Sequence, residues 1–399
     1  MFDSRQFRAQ FPYFQHNDAA VYLDSAATAL KPQALIDATT AFYCSAGSVH
    51  RSQYDEKQTA LYEQARVRVK NLLNAESENA VIWTSGTTQA INTVANGLLT
   101  HIGKDDEILI SDADHHANFV TWHAIAQKCG AKIRILPITD NWLIDENALI
   151  AALNPRTKFV ALNYVSNVTG TEQPIQRLIK LIRQHSKALV LVDAAQAVSH
   201  IKIDLRRLDA NFIAFSAHKL YGPNGLGVLS GKPAALELLQ PLQYGGKMVE
   251  RVSARQITFA ELPYRLEAGT PNIAAVIGFN AVLEWLERID FVQAENHAVN
   301  LAQQAKVRLK NYPFCRLFES PQPSSVVCFV FDGIACSDLA TLLAEQNIAL
   351  RSGVHCAQPY LARLGQVSTL RLSFAPYNEQ KDLEDFFKAL DKSLALLAD

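Results

Sequence analysis

The middle of this chain alternates short β-branched apolar runs with segments of helical periodicity, and that alternation leaves few folds open. Residues 80–84 (AVIWT), 107–111 (EILIS), 132–138 (KIRILPI), 158–165 (KFVALNYV) and 188–194 (ALVLVDA) read as buried strands. Between them, 85–99 reads as a turn entering a helix, 115–130 as a helix closed by Gly130, and 174–186 as a helix with Pro174 at its first position. A βαβα order of this kind implies an α/β fold, a mainly parallel sheet covered by helices on both faces. Ligands of such sheets bind beyond the carboxyl ends of the strands.

At 399 residues the chain exceeds what one hydrophobic core usually holds, so two domains are expected. The second half of the pattern differs: a long helical stretch near 272–289, then few strands and two helices, 338–346 and 379–397. It reads as a smaller α+β domain, with an N-terminal helix around 3–11 packed on it. The expected division is a large domain over 21–279 and a small one made of 1–20 and 280–399. A formal net charge of −1 offers no basic excess for nucleic acid or an anionic membrane surface. The N-terminus lacks the plan of a signal peptide, and no apolar run reaches membrane-spanning length. Six scattered cysteines without a CxxC pair argue against a metal site and a disulfide framework, and for reduced thiols in a cytoplasm.

The chemistry gathers at strand ends. The run 212–225 (FIAFSAHKLYGPNG) carries Lys219 where an apolar strand stops. Burial lowers a lysine pKa, and a neutral amine can form a Schiff base with a carbonyl compound such as pyridoxal phosphate. An isolated lysine there is more often a snorkelling surface residue. Asp193 ends the strand of 188–194; it is a partner for a pyridinium N–H, or a loop cap. Gln196, three residues on, can donate to the phenolic oxygen of that ring or face solvent. The SGTT turn at 85–88, with Thr88, offers hydroxyls, amides and a helix dipole to a phosphate, or simply a helix cap. Ser216 and His218 flank the lysine and can add phosphate contacts. His115 and His116 follow the strand 107–111, and an imidazole there can stack on the cofactor and handle protons. Four requirements of one cofactor at one sheet edge point to a pyridoxal phosphate site.

A second group lies in the smaller domain. Cys356 sits in RSGVHCAQP (351–359) beside His355, and a nearby imidazolium or arginine lowers a thiol pKa. Cys328, inside VVCFVF, reads as a buried, inert thiol. Arg371 lies inside an apolar strand and needs an anion, either a substrate carboxylate or a structural one.

Nearly end to end, the segments YLDSAATALKP, VHRSQY, SGTTQAIN, HHANFVTW, SNVTGTEQP, VDAAQAV, FSAHKLYGPNG, YGGKMV, LEAGTPN, RSGVHCAQP and LRLSFAPYN resemble the fold-type I pyridoxal phosphate enzymes of the class V aminotransferase group. Within it the chain is similar to the SufS/CsdA type of cysteine desulfurase, and to the CsdA branch most. The resemblance implies that Lys219 carries the cofactor, His115 stacks on its ring, Asp193 meets its nitrogen and Gln196 its phenolic oxygen. It implies that Thr88, Ser216 and His218 hold the phosphate, that Thr270 reaches the phosphate of a second subunit in a homodimer, and that Asn167 and Arg371 bind the substrate carboxylate region. Lys219 or His115 would move the Cα proton. Cys356 would take sulfur from L-cysteine as a persulfide, leaving L-alanine, for a SufE-type acceptor protein and onward use in iron–sulfur cluster assembly or tRNA thiolation. Cysteine sulfinate and selenocysteine are expected as further substrates; transamination of small amino acids or a β-lyase reaction is the alternative on the same fold. Departures from relatives are Ser85 for Arg, Gln89 for Glu, Ala194 and Ala217 for Gly, and Val354 for His. The last leaves His355 as the adjacent imidazole.

Overall fold

The computed structural model describes residues 2–17 and 19–397. Its centre is a seven-stranded sheet in the spatial order Val81–Thr84, Gly227–Gly231, Phe212–Ser216, Leu189–Asp193, Thr157–Asn163, Glu107–Ser111, Lys132–Leu136. Six of these strands run the same way. Gly227–Gly231 is antiparallel to both neighbours, with Thr84 opposite Gly227 and Ser216 opposite Gly227 on the other side. The chain reverses within a few residues after Lys219, so the strand that follows can only return antiparallel.

Alternate residues of the strands feed the two faces, as the two-residue period demands. Leu109, Val160, Val190, Ile213 and Val228 enter one apolar layer, while Ile108, Phe159, Leu191, Phe212 and Leu229 enter the other. Helix Ile175–His185 shows how a covering helix is specified: Ile175, Leu178, Ile179 and Ile182 are buried on one stripe. Pro174 stands just before that helix, at its cap, rather than inside it. Helix His116–Cys129 ends at Gly130 with φ 76°, the left-handed position a glycine takes without strain.

The C-terminal part holds a four-stranded antiparallel sheet, ordered Cys315–Phe318, Val326–Phe331, Thr369–Ser373, Arg351–Gly353. It carries more than the sequence reading anticipated. Helix Phe291–Leu309 buries mainly alanines (Ala294, Ala298, Ala302, Ala305), which give little apolar signal. Strand Cys315–Phe318 is a short edge element. Near the N-terminus, Asp3 caps helix Ser4–Arg8, and Phe7 and Phe11 pack on Trp285 and Tyr221. Val21–Tyr22 pairs in parallel with Ile348–Ala349 as a separate two-stranded sheet, and Asp24 bridges to Ser373 of the four-stranded sheet, so the tie between the N-terminal segment and the C-terminal part runs past residue 20. Among the described residues, no helix is long and apolar enough to cross a membrane.

Candidate active site

Strand ends Ser111, Asn163, Asp193 and Ser216 share one edge of the large sheet. Above that edge lies a cavity of about 620 Å³, closed on its far side by the C-terminal part. Its walls include Thr88, His115, Asn167, Asp193, Gln196, Ser216, His218, Lys219, His355, Cys356 and Arg371. The cofactor, substrate and thiol candidates named from the sequence are brought together here, but His116, Ser85 and Thr270 do not line this cavity. Thr270 lines a different cavity, with His50, Arg51 and Lys247.

The lysine and the acid line the same cavity, and each feels the other's charge. Burial, reinforced by the Arg371 charge, lowers the Lys219 amine to about 7, and its Nζ donates to the Ala26 carbonyl. Burial raises the Asp193 carboxyl to about 6. Asp193 is 5% exposed and takes the Ala195 amide on Oδ1 at 2.9 Å. The Gln196 side chain donates to Ala26 O at 2.8 Å, from the same wall.

His115 closes a third side. It caps helix His116–Cys129 by accepting the Ala117 amide on Nδ1 at 3.1 Å, which puts the ring proton on Nε2. Burial, with the Lys219 charge behind it, lowers its pKa to about 4, so the ring is neutral near pH 7. His218 is lowered to about 4 for the same reasons and offers a hydrogen bond rather than a charge.

Beneath them, helix Thr87–Gly97 points its first turn at Ser216. The Thr87 amide donates to Ser216 Oγ at 2.8 Å, and the two hydroxyls lie 2.8 Å apart. First-turn amides have no intrahelical acceptor, so this end favours an anion. The recess is lined by Thr28, Gly86, Thr88, Ser216, His218 and Gly225. Its floor needs a glycine: a Cβ on Gly227 would lie 2.4 Å from the Gly86 Cα. The departures at Ala194 and Ala217 fit, since neither has the positive φ that a glycine alone adopts easily. Gln89 turns back to accept the Ser85 amide, so these two neutral residues satisfy each other.

Arg371 is 3% exposed. Its Nη1 donates to Asn167 O and its Nη2 to Asp24 Oδ1, each at 2.8 Å, while Nε has no partner. Asp24 Oδ2 also accepts from Arg351 at 3.0 Å. The YLDSAAT segment thus contributes a site carboxylate that sequence reasoning missed. The signal was there, an acid closing a short apolar run, but its partners are more than 300 positions away.

Cys356 is exposed at the cavity mouth, in a turn between strand Arg351–Gly353 and helix Gln358–Arg363. His355 is no cationic neighbour for it. Burial lowers the His355 imidazole to about 3, and its Nε2 bonds to Thr369 Oγ1 at 3.0 Å. The side chain of Asn167 donates to His355 O at 2.7 Å. Cys328 is buried, and burial pushes its thiol up to about 12, in line with an inert role.

The groups present fit pyridoxal phosphate: an anion recess at a helix start, a neutral imidazole above the cavity, a buried acid at its floor and a lysine whose amine is lowered into the neutral range. Comparison with known proteins agrees. The class-V aminotransferase family matches residues 21–386. A "Probable cysteine desulfurase" of Haemophilus influenzae is 73% identical over 390 residues, covering 98% of this chain and 89% of that protein. "Cysteine desulfurase CsdA" of Escherichia coli is 49% identical over 404 residues and the full length of both chains. The crystal structure of Escherichia coli CsdA in its S-sulfonic acid form superposes with a TM-score of 0.94 at 48% identity, covering 99% of each chain. The chain belongs to the class-V aminotransferase family, with the fold-type I architecture and pyridoxal phosphate as its cofactor.

Proposed function

We propose that this protein is a cysteine desulfurase that converts L-cysteine to L-alanine and leaves the sulfur as a persulfide on Cys356. The observation that carries the reading is the exposed Cys356 at the mouth of the cavity that holds Lys219 and Arg371. Named relatives of high identity and full coverage support the same activity.

When bound, pyridoxal phosphate supplies an electron sink that weakens bonds at the substrate Cα and Cβ. Lys219 anchors it and, with its amine near neutrality, exchanges the Cα proton. Asp193 would hold a cationic ring nitrogen, Gln196 would donate to the phenolic oxygen and His115 would pack against the ring. Thr88, Ser216 and His218 would hold the phosphate. Arg371 and Asn167 receive the substrate carboxylate, the Arg371 Nε being free to donate. The Cys356 thiolate then bonds to the substrate sulfur as the Cβ–S bond breaks. The bonding pair stays with carbon and takes up a proton, so sulfur is oxidised to the persulfide level while Cβ is reduced to a methyl group.

The finer reading extends to cysteine sulfinate and selenocysteine, whose Cβ substituents leave without the thiol. The turn that bears Cys356 spans only residues 354–357, too short to carry sulfur far, which supports a SufE-type acceptor that docks at the cavity mouth in a cytoplasmic sulfur supply for iron–sulfur assembly or tRNA thiolation. A homodimer completes the reading. Thr270 shares its separate cavity with Lys247, whose Nζ has no hydrogen-bond partner, a setting suited to a phosphate from a second copy. The proposed division is a large unit over 21–279 and a small unit of 1–20 with 280–399, a reading supported by a cavity lined by Asp193 and Lys219 from the first and Cys356 and Arg371 from the second.

The test is product analysis of holoenzyme and C356S with L-cysteine. Wild type yields alanine and a persulfide on Cys356, and C356S yields neither at a comparable rate. Persulfide and alanine from C356S at the wild-type rate would sink the proposal in favour of a thiol-independent lyase or transaminase.

A further inference from the structure

We infer that His116 is a positioning residue for Cys356: its side chain clamps the turn that presents the thiol, a role separate from that of the adjacent His115. The inference rests on the reading of Cys356 as the sulfur-accepting group.

The turn is held in an unfavourable shape. His355 and Cys356 both have positive φ, 50° and 53°, and neither is glycine. Left-handed backbone is unfavourable for a residue with a Cβ. Two such residues in succession persist only where surrounding contacts impose them. Three of those contacts come from the opposite side of the cavity. The His116 amide donates to Cys356 O at 2.7 Å. Asn167 Nδ2 donates to His355 O at 2.7 Å. The Gln358 amide donates to His116 Nε2 at 3.2 Å. His116 therefore holds the turn at two points just after the Cys356 Cα, by its own amide at the Cys356 carbonyl and by its ring at the Gln358 amide, while Asn167 holds the His355 carbonyl before it.

The geometry of the neighbouring pair explains the division of labour. His115 has its Nδ1 occupied by the Ala117 amide and faces the cavity with Lys219. His116 opens the helix that begins there, and its ring reaches across to Gln358 at the start of the next helix. The ring bond satisfies an amide that has no acceptor in its own helix. Without it, the His116 amide bond, Asn167 and the His355–Thr369 contact are left to resist relaxation of residues 355–356 out of the left-handed region, and none of them holds the chain beyond Cys356 O. A thiol displaced by about 1 Å from its line of attack can lose on the order of 100-fold in rate, while binding of the amino acid, made by Arg371 and not by His116, is unchanged.

Holoenzyme with H116F or H116Q tests this. Phe keeps the ring volume without an acceptor; the Gln carbonyl can accept the Gln358 amide as Nε2 does. In a single turnover with L-cysteine, followed by mass spectrometry of Cys356, H116F is expected to form persulfide at least ~10-fold slower than wild type with KM for L-cysteine unchanged, and H116Q to recover to within ~3-fold. Hydrogen exchange at the Gln358 amide should quicken in H116F and not in H116Q. Persulfide formation by H116F at the wild-type rate, an equal loss in H116F and H116Q, or unchanged Gln358 exchange would each overturn the clamp. A wild-type enzyme that places no persulfide on Cys356 would instead overturn the desulfurase reading, and the exchange comparison would still decide whether the ring holds the turn.

Discussion

Arg371 donates to Asp24 across 2.8 Å, and through that contact the central strand of the C-terminal sheet is tied to the N-terminal segment at the wall of the cavity. The same carboxylate takes Arg351 on its other oxygen. A guanidinium this deeply buried needs its anion. Removing one member of a buried pair costs about 3–5 kcal/mol, because the other charge is left without compensation. D24A is therefore expected to lower stability by about that amount in urea denaturation, and D24N, which keeps an acceptor oxygen, by less. Equal stability of D24A and wild type would mean that Asn167 O alone satisfies Arg371.

The titration of Lys219 gives a pH signature. Its amine, lowered to about 7 by burial and Arg371, is protonated below that pH in the cofactor-free protein and neutral above it. Only the neutral amine is nucleophilic. The rate of pyridoxal phosphate uptake should rise with pH through 7 and level off near pH ~8; an ordinary lysine, with a pKa of about 10.4, would keep the rate rising to pH ~10. Asp24 and Asp193 both raise the Lys219 pKa, so D24A should move the midpoint down. Stopped-flow absorbance decides between the two profiles.

Gly227 lies against the loop that opens the phosphate recess, and a Cβ there would overlap the Gly86 backbone. Overpacking against backbone costs typically about 1–3 kcal/mol. G227A should lose stability in that range and, because Gly86 must move away from Ser216, should bind pyridoxal phosphate more weakly. Equilibrium dialysis of the cofactor measures the second effect; an unchanged affinity would show that the recess absorbs the shift.

A second buried ion pair stands outside the cavity. Arg66 meets Glu267 through two hydrogen bonds, 2.8 and 3.2 Å, and Glu267 also accepts the Trp83 amide at 2.7 Å. E267L should cost about 3–5 kcal/mol, whereas R66M/E267L together should cost less than the single change, since no charge is stranded. Chemical denaturation of wild type, R66M, E267L and the double variant forms the cycle, and additive losses would rule out coupling.

Much of the fold was legible from periodicity alone. The strands at 81–84, 107–111 and 189–193 and the helix after Pro174 sit where the apolar pattern put them, because both faces of the sheet are covered and the inner strand positions must be apolar, polar residues being left to the strand ends. The exceptions have local causes. The alanine-rich stripe of Phe291–Leu309 hides a helix, and the two-residue strand Val21–Tyr22 exists only because Ile348–Ala349 lies beside it.

The sequence by itself determined the kind of chemistry: a lysine, an acid and a hydroxyl-rich turn at successive strand ends, and a cysteine in a polar segment far along the chain. Only the tertiary structure decided which groups act on which. It gave Arg371 its anion from Asp24, made His355 a buried neutral ring, and brought His116 to the turn of Cys356. Those partners are separated by 14 to 347 positions, and burial and hydrogen bonding between such distant residues arise only once the chain is packed.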